Sequence, residues 1–452
     1  MDIKPTEGQE VAVDKMKRFL KSSDRIFRLT GAGGTGKTTI IRWGLEELLK
    51  SDIKQLNGLK KKSDYSHTPN VFGITLAHKA KVPLQKSIPF CSTFASAFGM
   101  KEGYDKATGE RIFIVDKEKI SKAMCKRPVK VFVVDEFSMF SKSMIDMLLK
   151  ETTMYSKIII MGDQAQCPPI LPSGVLDNDK DSPFFYMDLP DSCSHELLEQ
   201  IRQTDGNPIT ELAIKIRELI FDDPTPQKTR KIIDFMKETN LVDGKGYDSC
   251  LYPELYDLYR DCSKNYLDTK VIAYRNNVVG ELNTNLRNYI HNYPTDIFIE
   301  NELVFMQATY FGYDQNSNPF QFYNSSEYII RQLSDGAIDG VNVMWAFLED
   351  GRAMAVKTGV VGDYNHLVWL QHKESYSKVK DWKGMHGFCD QFGSFSYGYA
   401  LTVYKAQGST YKTVFIDAND IFGRKVLSIK RRLQAVYTAL TRASDNVYFI
   451  KQ

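Results

Sequence analysis

Cysteine, histidine, long apolar runs and net charge are all in short supply in this chain. The seven cysteines, at 91, 125, 167, 193, 250, 262 and 389, are odd in number and include no C-x-x-C pair. That spacing excludes a disulfide framework and a zinc ribbon, and it fits reduced thiols. The seven histidines are equally dispersed, and His366 and His372 follow neither helical nor metal-ligand spacing, so they read as surface or loop positions. No stretch approaches the roughly 18 consecutive apolar residues a membrane helix needs. The opening MDIKPTEGQEVAVDKMKRFL has no apolar centre of the signal-peptide kind, so a cytoplasmic protein without a membrane partner is expected. A formal net charge of only +3 excludes a uniformly basic surface; a nucleic-acid partner would have to be met by basic residues gathered in a groove.

What is present is an ordinary globular composition, 42% hydrophobic over 452 residues, enough for two to four domains. Its clearest local signal is GAGGTGKTT at residues 31 to 39. Gly31, Gly36, Lys37 and Thr38 meet the P-loop spacing G-x-x-x-x-G-K-[ST]. A β-like lead-in (Ile26 to Leu29) and a helix-like exit (TTIIRWGLEELLK) supply the right context. Small residues let the backbone wrap phosphates against a helix N-terminus, Lys37 reaches the β- and γ-phosphates, and the Thr38 hydroxyl serves Mg²⁺. ATP with Mg²⁺ is therefore the expected cofactor pair.

Two further apolar strands end in polar residues. VFVVDEFSM (131 to 139) delivers Asp135, suited to hold Mg²⁺, and Glu136, suited to orient and deprotonate an attacking water. KIIIMGDQAQCPPI (157 to 170) delivers Gly162, Asp163 and Gln164, whose amide can bond a γ-phosphate or a water. Strand-GKT, strand-DE, strand-GDQ is a succession of parallel βα units whose loops open at one edge, where open α/β sheets bind ligands.

With these three, the chain resembles a superfamily 1 helicase. KAQGST (405 to 410) and VYTALTRASDNVYFI (436 to 450) resemble motifs V and VI, TEGQ (6 to 9) the glutamine motif, QIRQTD (200 to 205) motif IV, and AYRNNVVGELN (273 to 283) the opening of the second motor domain. ALTVYKAQGST and STFASAFG (92 to 99) are most similar to the 1B branch, the RecD-like and small Dda-like phage helicases. Three positions depart from that pattern: Tyr404 stands where relatives carry His, Leu76-Ala77 where they carry Pro-Thr, and Ala95 where they carry His.

The resemblance implies an α/β fold of two RecA-like P-loop motor domains with two insertions. Residues 1–88 and 127–196 would form the first motor domain and 89–126 a small domain with a pin hairpin. Residues 197–302 and 394–452 would form the second motor domain, and 303–393 an SH3-like β-barrel whose runs YIIRQL, VNVMWAFL, AMAVKTGVV and HLVWLQ alternate at strand period. Aromatics in that insertion read as core.

Nucleotide contacts fall on Gln9, Gly31, Gly33, Gly34, Thr35, Gly36, Lys37, Thr38, Thr39 and Gly408, and metal contacts on Thr38 and Asp135. Catalysis falls on Lys37, Glu136, Gln164 and two arginine fingers, Arg202 and Arg442. A translocating enzyme holds phosphates and stacked bases rather than base edges, and His78, Lys79, Thr93, Asn276, Thr402, Lys405 and Gln407 are the candidates by position. The basic stretches GLKKKSD (58 to 64) and RKVLSIKRR (424 to 432) read as a solvated loop and a solvated helix surface.

The expected function is an ATP-dependent DNA helicase moving 5′ to 3′ on single-stranded DNA and opening forked duplex DNA. It would serve phage replication or recombination, alongside a single-strand-binding or other replisome protein in the host cytoplasm. An RNA helicase of the same superfamily and a nucleotide-switched clamp without unwinding remain open alternatives.

Overall fold

The computed structural model describes residues 4–451 apart from 59–67, 170–180, 199–206, 223–224, 263–265, 358–363, 424–426 and positions 106, 108, 110, 308, 315 and 394. Its contacts gather the chain into two compact units. One comprises Met1–Lys101, Val115–Leu251 and Ala406–Gln452, the other Glu102–Ile114 and Tyr252–Lys405. This division differs from the expected motor-domain boundaries, because residues 208–251 and 406–452 pack with the P-loop.

In the first unit a parallel six-stranded sheet runs in the order Cys91–Thr93, Val71–Thr75, Val131–Val134, Lys157–Gly162, Ile26–Gly31, Ser194–Leu197. The central strands VFVV and KIIIMG are apolar throughout because both faces are covered, and Phe132, Val133, Ile158, Ile159 and Ile160 are fully buried. On one face lies the helix Glu7–Lys21, started by a reciprocal capping box between Thr6 and Gln9 and burying Ala12, Met16 and Phe19. Since all strands run alike, the loops after Gly31, Val134 and Gly162 emerge at the same edge.

The same unit holds a second group of strands. Tyr411–Ile416, Ala443–Lys451 and Lys245–Leu251 are parallel neighbours, and Asn240–Val242 pairs antiparallel through an Asp243-Gly244 turn with both residues left-handed (φ 50° and 74°). Helix Ile429–Leu440 packs against helix Pro208–Phe221. It is buried along nearly its whole length, from Leu433 to Leu440. The reading of residues 424 to 432 as a solvated helix surface is therefore corrected: Arg431 is buried, and both Lys430 (2.7 Å) and Arg431 (3.4 Å) pair with the buried Asp181. Most of GLKKKSD lies outside the described residues.

In the second unit, Thr269–Ala273 and Ala400–Thr402 form a parallel pair beside helices Tyr252–Cys262 and Asn276–Ile290. The insertion is a seven-stranded antiparallel sheet in the order Pro319–Phe322, Tyr310–Tyr313, Ala353–Lys357, Val341–Leu348, Glu327–Ile338, Leu303–Met306, Phe395–Tyr397. Its longest hairpin turns at Asp339-Gly340, again both left-handed (φ 49° and 75°). Phe298, Val304, Tyr310, Phe322 and Ile330 fill the interior, so these aromatics are core as expected.

One expectation fails here. HLVWLQ lies in helix Tyr364–Lys378 and not in a strand. With helix Trp382–Cys389 it covers Val341, Val343 and Ala355 through Val368, Trp369, Phe388 and Phe392, so packing against the sheet overrides a short alternating pattern.

Strands Met100–Tyr104 and Arg111–Val115 make the expected hairpin. Its turn rests on the second helix of the insertion: His386 Nε2 meets Gly109 O at 2.9 Å, and a Cβ at Gly109 would come within 2.6 Å of the Trp382 ring. Two buried ion pairs, Arg287 with Glu302 and Lys270 with Glu327, tie the strands and helix of the motor half to the barrel strands.

Candidate nucleotide site and nucleic-acid contacts

The P-loop closes because its glycines take conformations other residues resist. Gly34 and Gly36 are left-handed (φ 88° and 82°), and Gly36 directly precedes helix Lys37–Gly44. Lys37 Nζ donates to Gly31 O (2.7 Å) and Ala32 O (2.8 Å), which places the ammonium across the mouth of the loop. Thr35 is buried, its hydroxyl on Ala32 O. Gln9 is buried beneath, donating to Thr35 O (3.1 Å) while its amide oxygen accepts from Thr6 N (3.2 Å). Gln9 thus braces the loop, and both ends of its carboxamide are engaged within the chain. Thr38 and Thr39 follow in the first helical turn, both partly exposed.

Asp135 and Glu136 follow strand Val131–Val134, one strand removed from the P-loop strand, as the sequence predicts. Asp135 Oδ1 accepts from Glu136 N (2.8 Å), and Glu136 is left-handed (φ 53°, ψ 40°), an uncommon conformation for a non-glycine residue that turns its side chain off the strand axis. Burial of its carboxyl raises the Glu136 pKa, and the Asp135 charge raises it further, while Arg442 and Lys37 act in the opposite sense. Those four charged groups therefore share one low-dielectric neighbourhood. Gly408 belongs to it as well: φ is 80°, and a Cβ there would lie 3.2 Å from Ala80 Cβ and 3.6 Å from Glu136 Oε1. A Cβ at Gly33 would face Thr441 at 3.7 Å. The loop, the acidic pair and the start of the Arg442 segment together enclose a cradle kept open by glycine.

Arg442 is buried and holds its segment together, donating to Thr438 O (3.2 Å), Ser409 O (3.3 Å) and Thr441 Oγ1 (3.1 Å). Gln164 is partly exposed at the end of its strand, and its carbonyl accepts from Gln434 Nε2 (3.1 Å). Arg202, the other expected arginine finger, lies outside the described residues.

Residues 5–218 match the AAA domain family and residues 397–450 the UvrD-like helicase C-terminal domain. The ATP-dependent DNA helicase dda of Enterobacteria phage T4 is 26% identical over 311 residues, 68% of this chain and 62% of that protein. An uncharacterized protein of Acanthamoeba polyphaga mimivirus is 23% identical over 98% of this chain and 99% of its own length. Among solved structures, a Bacteroides Pif1 helicase bound to single-stranded DNA shares the fold with a TM-score of 0.54 at 15% identity, covering 99% of this chain and 92% of that one. The chain resembles the superfamily 1 helicases in both matched stretches. The P-loop motor fold and nucleotide binding accord with that likeness.

Against the superfamily 1B pattern, the expected strand-gripping residues separate into two groups. Lys405 Nζ donates to Gln307 Oε1 (2.8 Å) above the Phe305 ring, with burial lowering its pKa, and Asn276 is exposed at the start of its helix. Lys79 Nζ meets the Tyr411 hydroxyl (3.0 Å) over its ring.

The others bond or pack within the chain. Gln407 is buried and donates to Gln166 Oε1 (3.0 Å). Thr93 is buried and caps the short helix Phe94–Ala97, and Thr402 is buried with its hydroxyl on Lys405 N. Burial, aided by Lys81, pushes the His78 imidazole down to about 4, so it is neutral at physiological pH. Gln407 thus bonds across to the GDQ loop, while Thr93 and Thr402 accept from backbone N–H groups of their own turns. Tyr404 packs edge-on against Tyr274 (6.2 Å).

Sequence reasoning missed the groups that fasten the GDQ loop. Asp163 Oδ2 accepts from Tyr437 (2.6 Å), Arg217 Nε stands 3.6 Å from Asp163 Oδ1, and Cys167 N donates to Thr438 Oγ1 (2.9 Å). Arg217 in particular carries no local signature; it is one charge on an amphipathic helix.

Proposed function

We propose that this chain is an ATP-dependent DNA helicase that translocates 5′ to 3′ on single-stranded DNA and unwinds duplex ahead of it. The observation that carries the reading is the convergence of Lys37, Asp135, Glu136 and Arg442 at the mouth of a P-loop, beside Gly408. Lys37 binds the β- and γ-phosphates. Thr38 and Asp135 hold Mg²⁺, which would neutralise phosphate charge when bound. Glu136 orients the attacking water and accepts its proton, a role suited by its raised pKa. Gln164 bonds the γ-phosphate or the water, and Arg442, with Arg202, stabilises charge developing on the transferred group. Gly408 admits the nucleotide beside Glu136.

Lys405, Lys79 and Asn276 contact the phosphodiester backbone, which suits an enzyme indifferent to sequence. Support for DNA comes from the relatives: the phage protein is named a DNA helicase, a Bacteroides Pif1 helicase of this fold is described with ADP-AlF3 and single-stranded DNA, and Pif1 helicases of this fold are described at forked duplex DNA. Work on phage DNA with a single-strand-binding or other replisome protein in the host cytoplasm belongs to the same proposal.

ATP hydrolysis measured with single-stranded DNA against RNA, followed by unwinding of duplexes bearing a 5′ or a 3′ tail, tests it. Stimulation by DNA and unwinding from the 5′ tail are expected. Unwinding only from a 3′ tail refutes the polarity; no stimulation by either polymer refutes the motor and leaves a nucleotide-switched clamp.

A further inference from the structure

The loop that carries Gln164 is bound to the helix that leads to Arg442 by side chains that packing alone does not require. Tyr437 is fully buried; its hydroxyl donates to Asp163 Oδ2 (2.6 Å) and also meets the backbone of Gly33 in the P-loop. Burial, then the Asp163 charge and hydrogen bond, raise the phenol's pKa well above its usual value, so it stays protonated and donates. Asp163 is itself 1% exposed. A buried carboxylate needs compensation, and it has three sources: the phenol, Ala165 N (3.0 Å), and the Arg217 guanidinium from helix Pro208–Phe221. Arg217 is in turn anchored by Glu196 (2.7 Å). On either side of this point, Gln434 holds Gln164 O and Thr438 accepts from Cys167 N.

We propose that Tyr437 and Arg217 are positioning residues for ATP hydrolysis: by acting together on the Asp163 carboxylate they hold the Gln164 loop and the Arg442 helix as one body. This inference rests on the functional reading above. If the two catalytic side chains were carried by independently mobile segments, each turnover would have to bring them into register. Locked together, they meet the γ-phosphate at a set spacing, and a change at one is transmitted to the other.

The test is steady-state ATP hydrolysis of the full chain, saturated with single-stranded DNA, for Tyr437→Phe, Arg217→Ala, Arg217→Lys and the double variant Tyr437→Phe/Arg217→Ala. Tyr437→Phe removes one oxygen and keeps the packing. It is expected to lower kcat about 10- to 100-fold, the loss of one charge-assisted buried hydrogen bond expressed as a rate, with KM for ATP changed less than kcat, since Lys37 and its bonds across the phosphate-binding loop are kept. Arg217→Ala should behave alike, Arg217→Lys should recover most of kcat, and the double variant should be no worse than the poorer single one, as expected of groups acting as a unit.

Hydrogen exchange separates this from a general loss of fold. In Tyr437→Phe, the amides of 163–167 and of the helix Ile429–Leu440 should lose protection together while the strands keep theirs. A wild-type chain that does not hydrolyse ATP overturns the functional reading and this inference with it. A wild type that hydrolyses ATP, with Tyr437→Phe turning over within threefold of it, overturns the inference alone, as does a Tyr437→Phe defect that appears only in KM.

Discussion

Replacing Arg442 by alanine separates two tasks that one guanidinium performs. The structural task is visible in its three hydrogen bonds, to Thr438 O, Ser409 O and Thr441 Oγ1. At about 1 kcal/mol net for each, their loss costs about 3 kcal/mol of stability, tolerable in a chain this size and measurable as a lowered melting temperature. The catalytic task is larger. An arginine finger contributes about a thousandfold or more to kcat, so turnover should fall by that order while the affinity for ATP, governed by Lys37 and the glycines, changes little.

The electrostatics give a further signature. Arg442 opposes the burial and the Asp135 charge that raise the Glu136 pKa; without the cation that pKa moves higher still. Glu136 acts as a base only when ionised, so the acid limb of kcat/KM against pH should shift towards higher pH in Arg442→Ala. Stopped assays across the pH range, on the variant and on wild type, read both effects. Turnover within tenfold of wild type, or an acid limb that stays in place or moves to lower pH, would refute the placement of Arg442 beside Glu136 and the phosphate.

Lys37→Ala should abolish hydrolysis and unwinding together; unwinding that survives contradicts the motor reading. Gly408→Ala forces a left-handed residue to carry a Cβ close to Ala80 and Glu136, so it should cost about 1 kcal/mol of stability and suppress hydrolysis more than nucleotide binding, measured by calorimetry and turnover. Lys405→Ala should weaken single-stranded DNA binding and reduce the slope of log K against log salt by about 0.7, the share of one phosphate contact, with DNA-independent hydrolysis retained. Glu302→Ala strands the buried Arg287 cation and should destabilise the chain by about 3–5 kcal/mol, read by denaturant unfolding; Glu302→Gln should lose less.

Legibility in the sequence tracked how local the physics was. The P-loop, the Asp135-Glu136 pair and the parallel strands that carry them were readable because spacing within a few residues defines a turn, and a run such as VFVV admits only a strand covered on both faces. The 100–115 hairpin is local in the same way. HLVWLQ failed because a short alternating run suits a strand or a helix, and the decision fell to what it packs against. Gln407, Thr93 and Thr402 were less legible for a related reason: a polar residue near a motif can face a ligand or bond within the chain, and the fold shows the bond.

The sequence by itself carried the residues on which the proposed chemistry rests: a P-loop for a triphosphate, carboxylates for a metal and a water, an arginine for developing charge. Those functions depend on residue type at fixed short spacing, which the chain records directly. Tertiary structure decided which distant groups share one environment. The raised pKa of Glu136 depends on burial and on Arg442, and the lock on Asp163 depends on Arg217 and Tyr437, charges and donors whose effect falls steeply with distance and rises as water is excluded. No linear spacing encodes that proximity; it exists only once the strands are stacked and the helix Ile429–Leu440 is packed beside the GDQ loop.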